Sequence, residues 1–244
     1  MAMAKNFIVK LTSKPKNPIV IEGFPGFGLV GTIVTEFLLD HLKCEQIGMH
    51  YFPRLPATVA IHEGKMVPPL SVHYNKKYNL VIVHSIAGTQ LIEWDAADLV
   101  LDICEQLNAK HLISIEGVGA ANPEDERVFY HTNEAELAKK YERIGVESLG
   151  EGIIVGVTGA LLIKADRPMN CLFAETHSKL PDARAAAKVI GVLDKIFGFE
   201  IDPKPLLKQA QQFEEKLKNI IAKAEEAQEE KEKKMMGEKP RYLG

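Results

Sequence analysis

The apolar run Pro18-Ile-Val-Ile-Glu22 is short, uninterrupted and closed by glycines, and 29–42 then carries apolar residues at helical spacing. Together they predict a strand, a glycine-rich turn and a helix, the opening of a βα unit. Further strand-like runs are 46–51, 58–62, 70–74, 80–84, 111–115 and 171–174, several of them apolar throughout, as parallel strands covered on both faces are. Helical periodicity marks 92–107, 134–143, 159–165 and 182–197. This alternation predicts an α/β fold of three layers around a mainly parallel sheet. Segments 58–62 and 70–74, separated by Glu63-Gly64-Lys65 and a double proline, read as an antiparallel hairpin inserted into that sheet, which makes it mixed.

From Asp202-Pro-Lys-Pro205 the pattern changes, and Lys, Glu, Gln and Ala dominate to about residue 234. A proline at the start suits the first turn of a separate long helix. Leu206, Ala210, Phe213, Leu217, Ile220 and Ala224 alternate spacings of four and three, a heptad seam. Such a seam serves a coiled coil between subunits, as a dimer or homotetramer, or packs on the chain's own domain. The expected organisation is a core domain over 1–201, the charged helix over 202–236 and a flexible tail over 237–244 that reaches roughly 26 Å when extended.

A chain of 244 residues is long enough for one such domain with a sizeable core, and 46% hydrophobic content is too apolar for a disordered protein. A net charge of -3 offers no cationic field, so nucleic acid is not expected as a partner. Cys44, Cys104 and Cys171 are odd in number, far apart and set in apolar stretches, as reduced core cysteines of a cytoplasmic protein are. The N-terminus lacks the apolar region of a signal peptide and no stretch is apolar enough to span a bilayer, so no membrane association is expected.

The strongest enzyme-like signal is Gly23-Phe-Pro25-Gly26-Phe-Gly28-Leu-Val-Gly31, a G-x-G-x-x-G after a strand and before a helix, where backbone amides can hold a pyrophosphate. The turn is unusually apolar, however, and the next strand ends Gly48-Met-His-Tyr51 with no acidic residue for a ribose. Glycines also serve a tight turn with no ligand at all. Glu22, Glu116 and Glu175 are each placed at the C-terminal end of a predicted strand, where converging carboxylates can bind a ligand or cap neighbouring helices. The eight histidines show no ligand spacing, and Ser85 beside His84 lacks the elbow that exposes a nucleophile. No catalytic residue, metal or cofactor is expected.

Three segments, Ile21-Glu-Gly-Phe-Pro-Gly-Phe-Gly-Leu-Val-Gly31, Gly156-Val-Thr-Gly159-Ala-Leu-Leu162, and Leu172-Phe-Ala-Glu175-Thr with Pro181-Asp182-Ala-Arg-Ala-Ala-Ala187, resemble the signature blocks of the proteasome assembly chaperone family, in the form of its archaeal homologues. Their order and spacing fit along most of residues 17–200. The resemblance implies an α/β fold similar to that of nucleoside phosphorylases without their activity, no use of ATP, and binding to α-subunits of the proteasome core. It also implies a C-terminal hydrophobic-Tyr-X motif that enters pockets between α-subunits. Here the chain reads Arg241-Tyr242-Leu243-Gly244, one position out of that register.

The expectation is therefore a homo-oligomeric factor docking on the α-ring, either opening the gate of a finished core or guiding its assembly. Tyr242, Leu243 and Gly244 are its contact residues. A tail of this kind binds weakly alone, and several on one oligomer raise the effective concentration. The rival expectation is a nucleoside- or nucleotide-binding enzyme or sensor that uses the Gly23–Gly31 turn.

Overall fold

The computed structural model describes residues 9–62, 64–119, 127–176, 180–201 and eight positions between 205 and 220. Its centre is four parallel strands, β1 (Ile19–Gly23), β6 (Leu80–Ser85), β7 (His111–Gly119) and β10 (Met169–Thr176). Around them lie β2 (Glu45–His50), β5 (Leu70–Asn75), β8 (Val128–Thr132) and β9 (Glu147–Ser148). The order across the sheet is β2-β5-β6-β1-β7-β10-β8-β9. The pairings β2 to β5, β5 to β6 and β8 to β10 are antiparallel, so the sheet is mixed, as expected.

Side chains alternate between the two faces of each strand, and the apolar ones sort accordingly. Ile21, Ile82, Ile113, Ile115 and Leu172 meet α1 (Val30–Leu42), α3 (Ala135–Arg143) and α5 (Ala183–Phe197). Val20, Val81, Val83, Leu112 and Phe173 meet α2 (Glu93–Leu107) and α4 (Gly156–Lys164) on the other face. The result is the three-layer arrangement, with all six residues of β6 buried because both of its faces are covered. Among the described residues no helix is long and apolar enough to cross a membrane. The three cysteines are unpaired, and Cys104 and Cys171 are buried in the core.

Helix ends follow local chemistry. Glu93 and Asp95 stand in the first turn of α2, where a negative charge is favourable, and left-handed Asn108 closes the helix by returning its amide to the carbonyls of Cys104 and Glu105. Asp182 caps α5 by accepting from the amide of Ala185 at 3.0 Å.

Two expectations change. Segments 58–62 and 70–74 do not pair with each other. β3 (Ala60–His62) pairs instead with β4 (Lys65–Val67) in a separate two-stranded ribbon, while β5 joins the main sheet between β2 and β6. Pro68 and Pro69 are the reason, because neither can donate to a ladder and together they end β4 before β5 begins. β7 also runs four residues past Ile115, because Gly117 and Gly119, which resemble a strand end in the sequence, are part of the pairing with β10.

Asp182 does more than cap. Its other carboxylate oxygen accepts from the Thr176 hydroxyl at 2.7 Å, and its own amide donates to the Gly28 carbonyl at 2.8 Å. Replacing Asp182 with Ala should lower stability by about 1–2 kcal/mol in urea unfolding, and Asp182→Asn, which keeps an acceptor, should lose less.

Candidate functional site

Glu22 is the penultimate residue of β1, and in the pairing of β1 with β7 it stands opposite Ser114. Glu116 lies two residues further along β7, on the same face. Both point toward the start of α4, whose Thr158 comes down between them. Four side chains consequently form one row. Ser114 bonds Glu22, the Ser114 and Thr158 hydroxyls are 2.8 Å apart, and Thr158 bonds Glu116 at 3.3 Å. The row ends at the glycine turn, where the amide of Phe27 donates to Glu116 Oε1 at 3.3 Å.

Counting hydrogens shows that this row needs a proton beyond those of its hydroxyls. Three contacts join four side chains, yet the two hydroxyls bring only two hydrogens. If both carboxylates were ionised, Ser114 would donate to Glu22 and Thr158 to Glu116, leaving the Ser114–Thr158 contact with none. One proton on either carboxyl completes the chain. Burial points the same way: it pushes the Glu22 carboxyl up to about 8, against the Ser114 hydrogen bond and with the charge of Glu116 adding to the rise. Burial likewise pushes Glu116 up to about 7, opposed by Thr158 and the amides of Phe27 and Gly117.

Glu175 does not join them. It lies near the end of β10 and is gripped by Arg127, whose guanidinium gives it two hydrogen bonds of 3.0 Å. The expected convergence of three carboxylates is thus a pair with a shared proton and a separate ion pair. Among the described residues no group of three or more His, Cys, Asp or Glu side chains gathers as metal ligands would. Ser85 donates toward the backbone carbonyls of Pro69 and Ala87, and His84 packs between Thr35 and Glu36.

The glycine turn is occupied by its own chain. A side chain on Gly23 would place Cβ 2.1 Å from the Gly31 carbonyl, so β1 and α1 touch backbone to backbone there. Gly28 is left-handed at φ 66° and lies against Thr176. Gly26 rests under the Glu116 carboxyl, Pro25 faces a cavity of about 220 Å³ shared with Ile153–Val157, and Gly159 packs on the Ile154 carbonyl. The Phe27 amide that a phosphate would use already serves Glu116. The strand after α1 is also in the wrong place for a dinucleotide fold: β2 is at the sheet edge, separated from β1 by β5 and β6.

Of the heptad seam, Leu206, Ala210, Phe213, Leu217 and Ala224 lie outside the described residues, as do Tyr242, Leu243 and Gly244. Ile220 is described, helical and 51% exposed. A second surface was not expected. An apolar groove of about 420 Å³ runs between the 49–59 loop, the β3–β4 ribbon and the start of α2, at the C-terminal edge of the parallel strands. Met49, Tyr51, Val59 and Leu70 of its lining read in sequence as strand residues, because an apolar side chain facing solvent and one facing the core leave the same pattern. Gly117, Ser114 and Thr158 were also missed, since each acts through a partner remote in sequence.

Comparison with known proteins places these features. The family model described as the PAC2 family matches residues 20–221. An uncharacterized protein of Methanocaldococcus jannaschii is 30% identical over 223 residues, covering 90% of this chain and 92% of the relative. The crystal structure of Pyrococcus furiosus PbaA, described as an archaeal homolog of proteasome-assembly chaperone, is 34% identical with a TM-score of 0.78, covering 91% of this chain and all of that one. Pyrococcus furiosus PbaB, described as an archaeal proteasome activator, is 25% identical with a TM-score of 0.70, covering 87% and 98%.

Two outcomes follow from the buried pair and the turn. The Glu22–Glu116 pair keeps its shared proton in the fold at pH values where the unfolded chain, with carboxyls near 4.5, has released it. That contribution is complete below 4.5 and is lost as pH rises from there to about 7 to 8, at up to about 1.4 kcal/mol per pH unit for the one proton. Glu22→Gln should remove its share of that slope and overtake the parent protein in urea stability above pH 8. Equal slopes would mean that Glu22 is ionised in the fold. Gly23→Ala, which forces β1 and α1 apart, should cost roughly 2–3 kcal/mol in the same assay.

Proposed function

The chain belongs to the PAC2 family, and from that premise we propose that it is an ATP-independent, non-enzymatic protein that binds the α-ring of the proteasome core. The observation that carries this reading is the likeness to PbaA over nine-tenths of the chain. The likeness to PbaB supports the form of it that we adopt, in which docking opens the gate of a finished core, with guidance of α-subunit assembly as the other outcome. The setting is cytoplasmic.

The working element in this reading is 237–244, with Tyr242 as the aromatic anchor and Leu243 and Gly244 beside it. Copies join through the heptad seam, which multiplies the effective concentration of a weak tail. Two observations support the arrangement. Leu207 and Ile220 are 52% and 51% exposed, so these positions of the helix are not covered by the chain's own domain. Phe199 is seated beside the turn before β6, where its carbonyl accepts from Tyr78 at 2.8 Å, and Ile201 is the last buried one of the described residues. That is the N-terminal edge of the parallel strands, away from the groove. Nucleotide binding at the glycine turn has no comparable support, because Glu116 uses the turn's amide.

Peptide hydrolysis by a purified archaeal core, with and without this protein, tests the reading. The full chain should stimulate hydrolysis several-fold without ATP, and a variant ending at Met236 should not, while keeping its oligomeric mass. Binding to free α-subunits without stimulation would select assembly; binding to neither would overturn the proposal.

A further inference from the structure

The cavity of about 220 Å³ lies between the glycine turn, the C-terminal half of β7 and the approach to α4. At the ~30 Å³ that a water molecule occupies in the liquid, it takes about seven waters or one ring with a short substituent. Phe24, Phe27, Ile154, Val155 and Val157 make its walls apolar, and two side chains give it polarity. One is Glu116, half-buried at its edge and the only charged residue in the lining. The other is Thr89, which is 7% exposed and whose hydroxyl has no hydrogen-bond partner among the described residues. A buried hydroxyl without a partner is costly, and this one borders a space where a partner fits.

The lining selects the ligand. An ionised carboxylate offers about four acceptor sites. At Glu116, Thr158 and the amides of Phe27 and Gly117 take three, which leaves one for a donor in the cavity. A guanidinium fork needs two, whereas an ammonium gives one N–H to Glu116 and has others for Thr89. No Lys, Arg or His stands in the wall to hold an anion. We propose that this cavity is a binding site for a small primary amine with an apolar body, its ammonium held by Glu116 and Thr89. The row behind Glu116 suits that cation. With the shared proton on Glu22, that carboxyl donates to Ser114, Ser114 to Thr158 and Thr158 to Glu116, so every contact is made and the negative charge stands at the cavity end. Glu22 touches no ligand in this arrangement; it is a positioning residue that keeps the proton away from the amine.

Isothermal titration of the full-length protein at about pH 7, where aliphatic amines are protonated, tests the site with benzylamine, phenethylamine and 3-methylbutylamine. At least one should saturate a single site per chain with a Kd on the order of 0.1–1 mM. Benzyl alcohol and benzoate, the neutral and anionic counterparts of benzylamine, should bind at least about tenfold more weakly than the best amine. Glu116→Gln keeps the shape and drops the charge, and should weaken the amine about 30-fold; Thr89→Val should weaken it about fivefold. The Glu22→Gln amide donates to Ser114 as the protonated carboxyl does, so amine affinity should stay within about threefold of the parent. A melting curve shows whether Glu116→Gln is folded, and Thr89→Val serves if it is not. Binding of none of the three amines would overturn the proposal. So would benzyl alcohol binding as tightly as benzylamine, which assigns the cavity to apolar contact alone, or parental affinity in Glu116→Gln. None of these readouts involves the proteasome, so the amine site and the α-ring reading stand or fall separately.

Discussion

The turn between β1 and α1 must lie flat against β7, and the rest of the domain is arranged around that approach. A Cβ on Gly117 would fall 2.0 Å from the Phe27 carbonyl, so the two backbones touch. Once they do, the Glu116 carboxyl is left half-buried at the edge of the small cavity and takes its donors from the chain, the Phe27 amide and Thr158. Thr158 is presented by the first turn of α4, and Ser114 passes the chain on to Glu22. On the other side Gly28 receives the amide of Asp182, which caps α5. One close contact thereby fixes where two helices begin. A buried polar row of this kind is stable only when fully satisfied, and the shared proton is what satisfies it.

This explains why a motif that looks made for a phosphate does not need one. The G-x-G-x-x-G spacing gives a turn whose amide points at the end of a neighbouring strand, and in this chain the acceptor is Glu116. The three segments on which the family resemblance rests are the turn, the start of α4 with Thr158, and β10 with Asp182, and each takes part in this one knot. They hold the fold together.

How much of this could be read from the chain depended on range. The opening βα unit, the helices and the central strands follow from short-range periodicity and were legible to within a few residues. The placement of β2 at the edge was not, because a strand's own pattern does not name its neighbour. The Glu22–Ser114–Thr158–Glu116 row joins segments more than 40 and 90 residues apart, so spacing could suggest Glu22 and Glu116 but neither their link nor the departure of Glu175 to Arg127. The exposed groove was hidden for a different reason: an apolar strand residue announces burial, and only the folded chain shows which burials remain to be made.

The exit at Ile201 has a mechanical meaning. Phe199 and Ile201 are held in the core by Tyr78 and by Asp194, whose carboxylate accepts from the Ile201 amide at 3.1 Å. A pull on the chain at this point meets that anchored loop first, and only through α5 and its cap Asp182 the knot around the glycine turn. The short loop that ends at Ile201 is thus seated by two contacts of its own, at the rim where β6 begins.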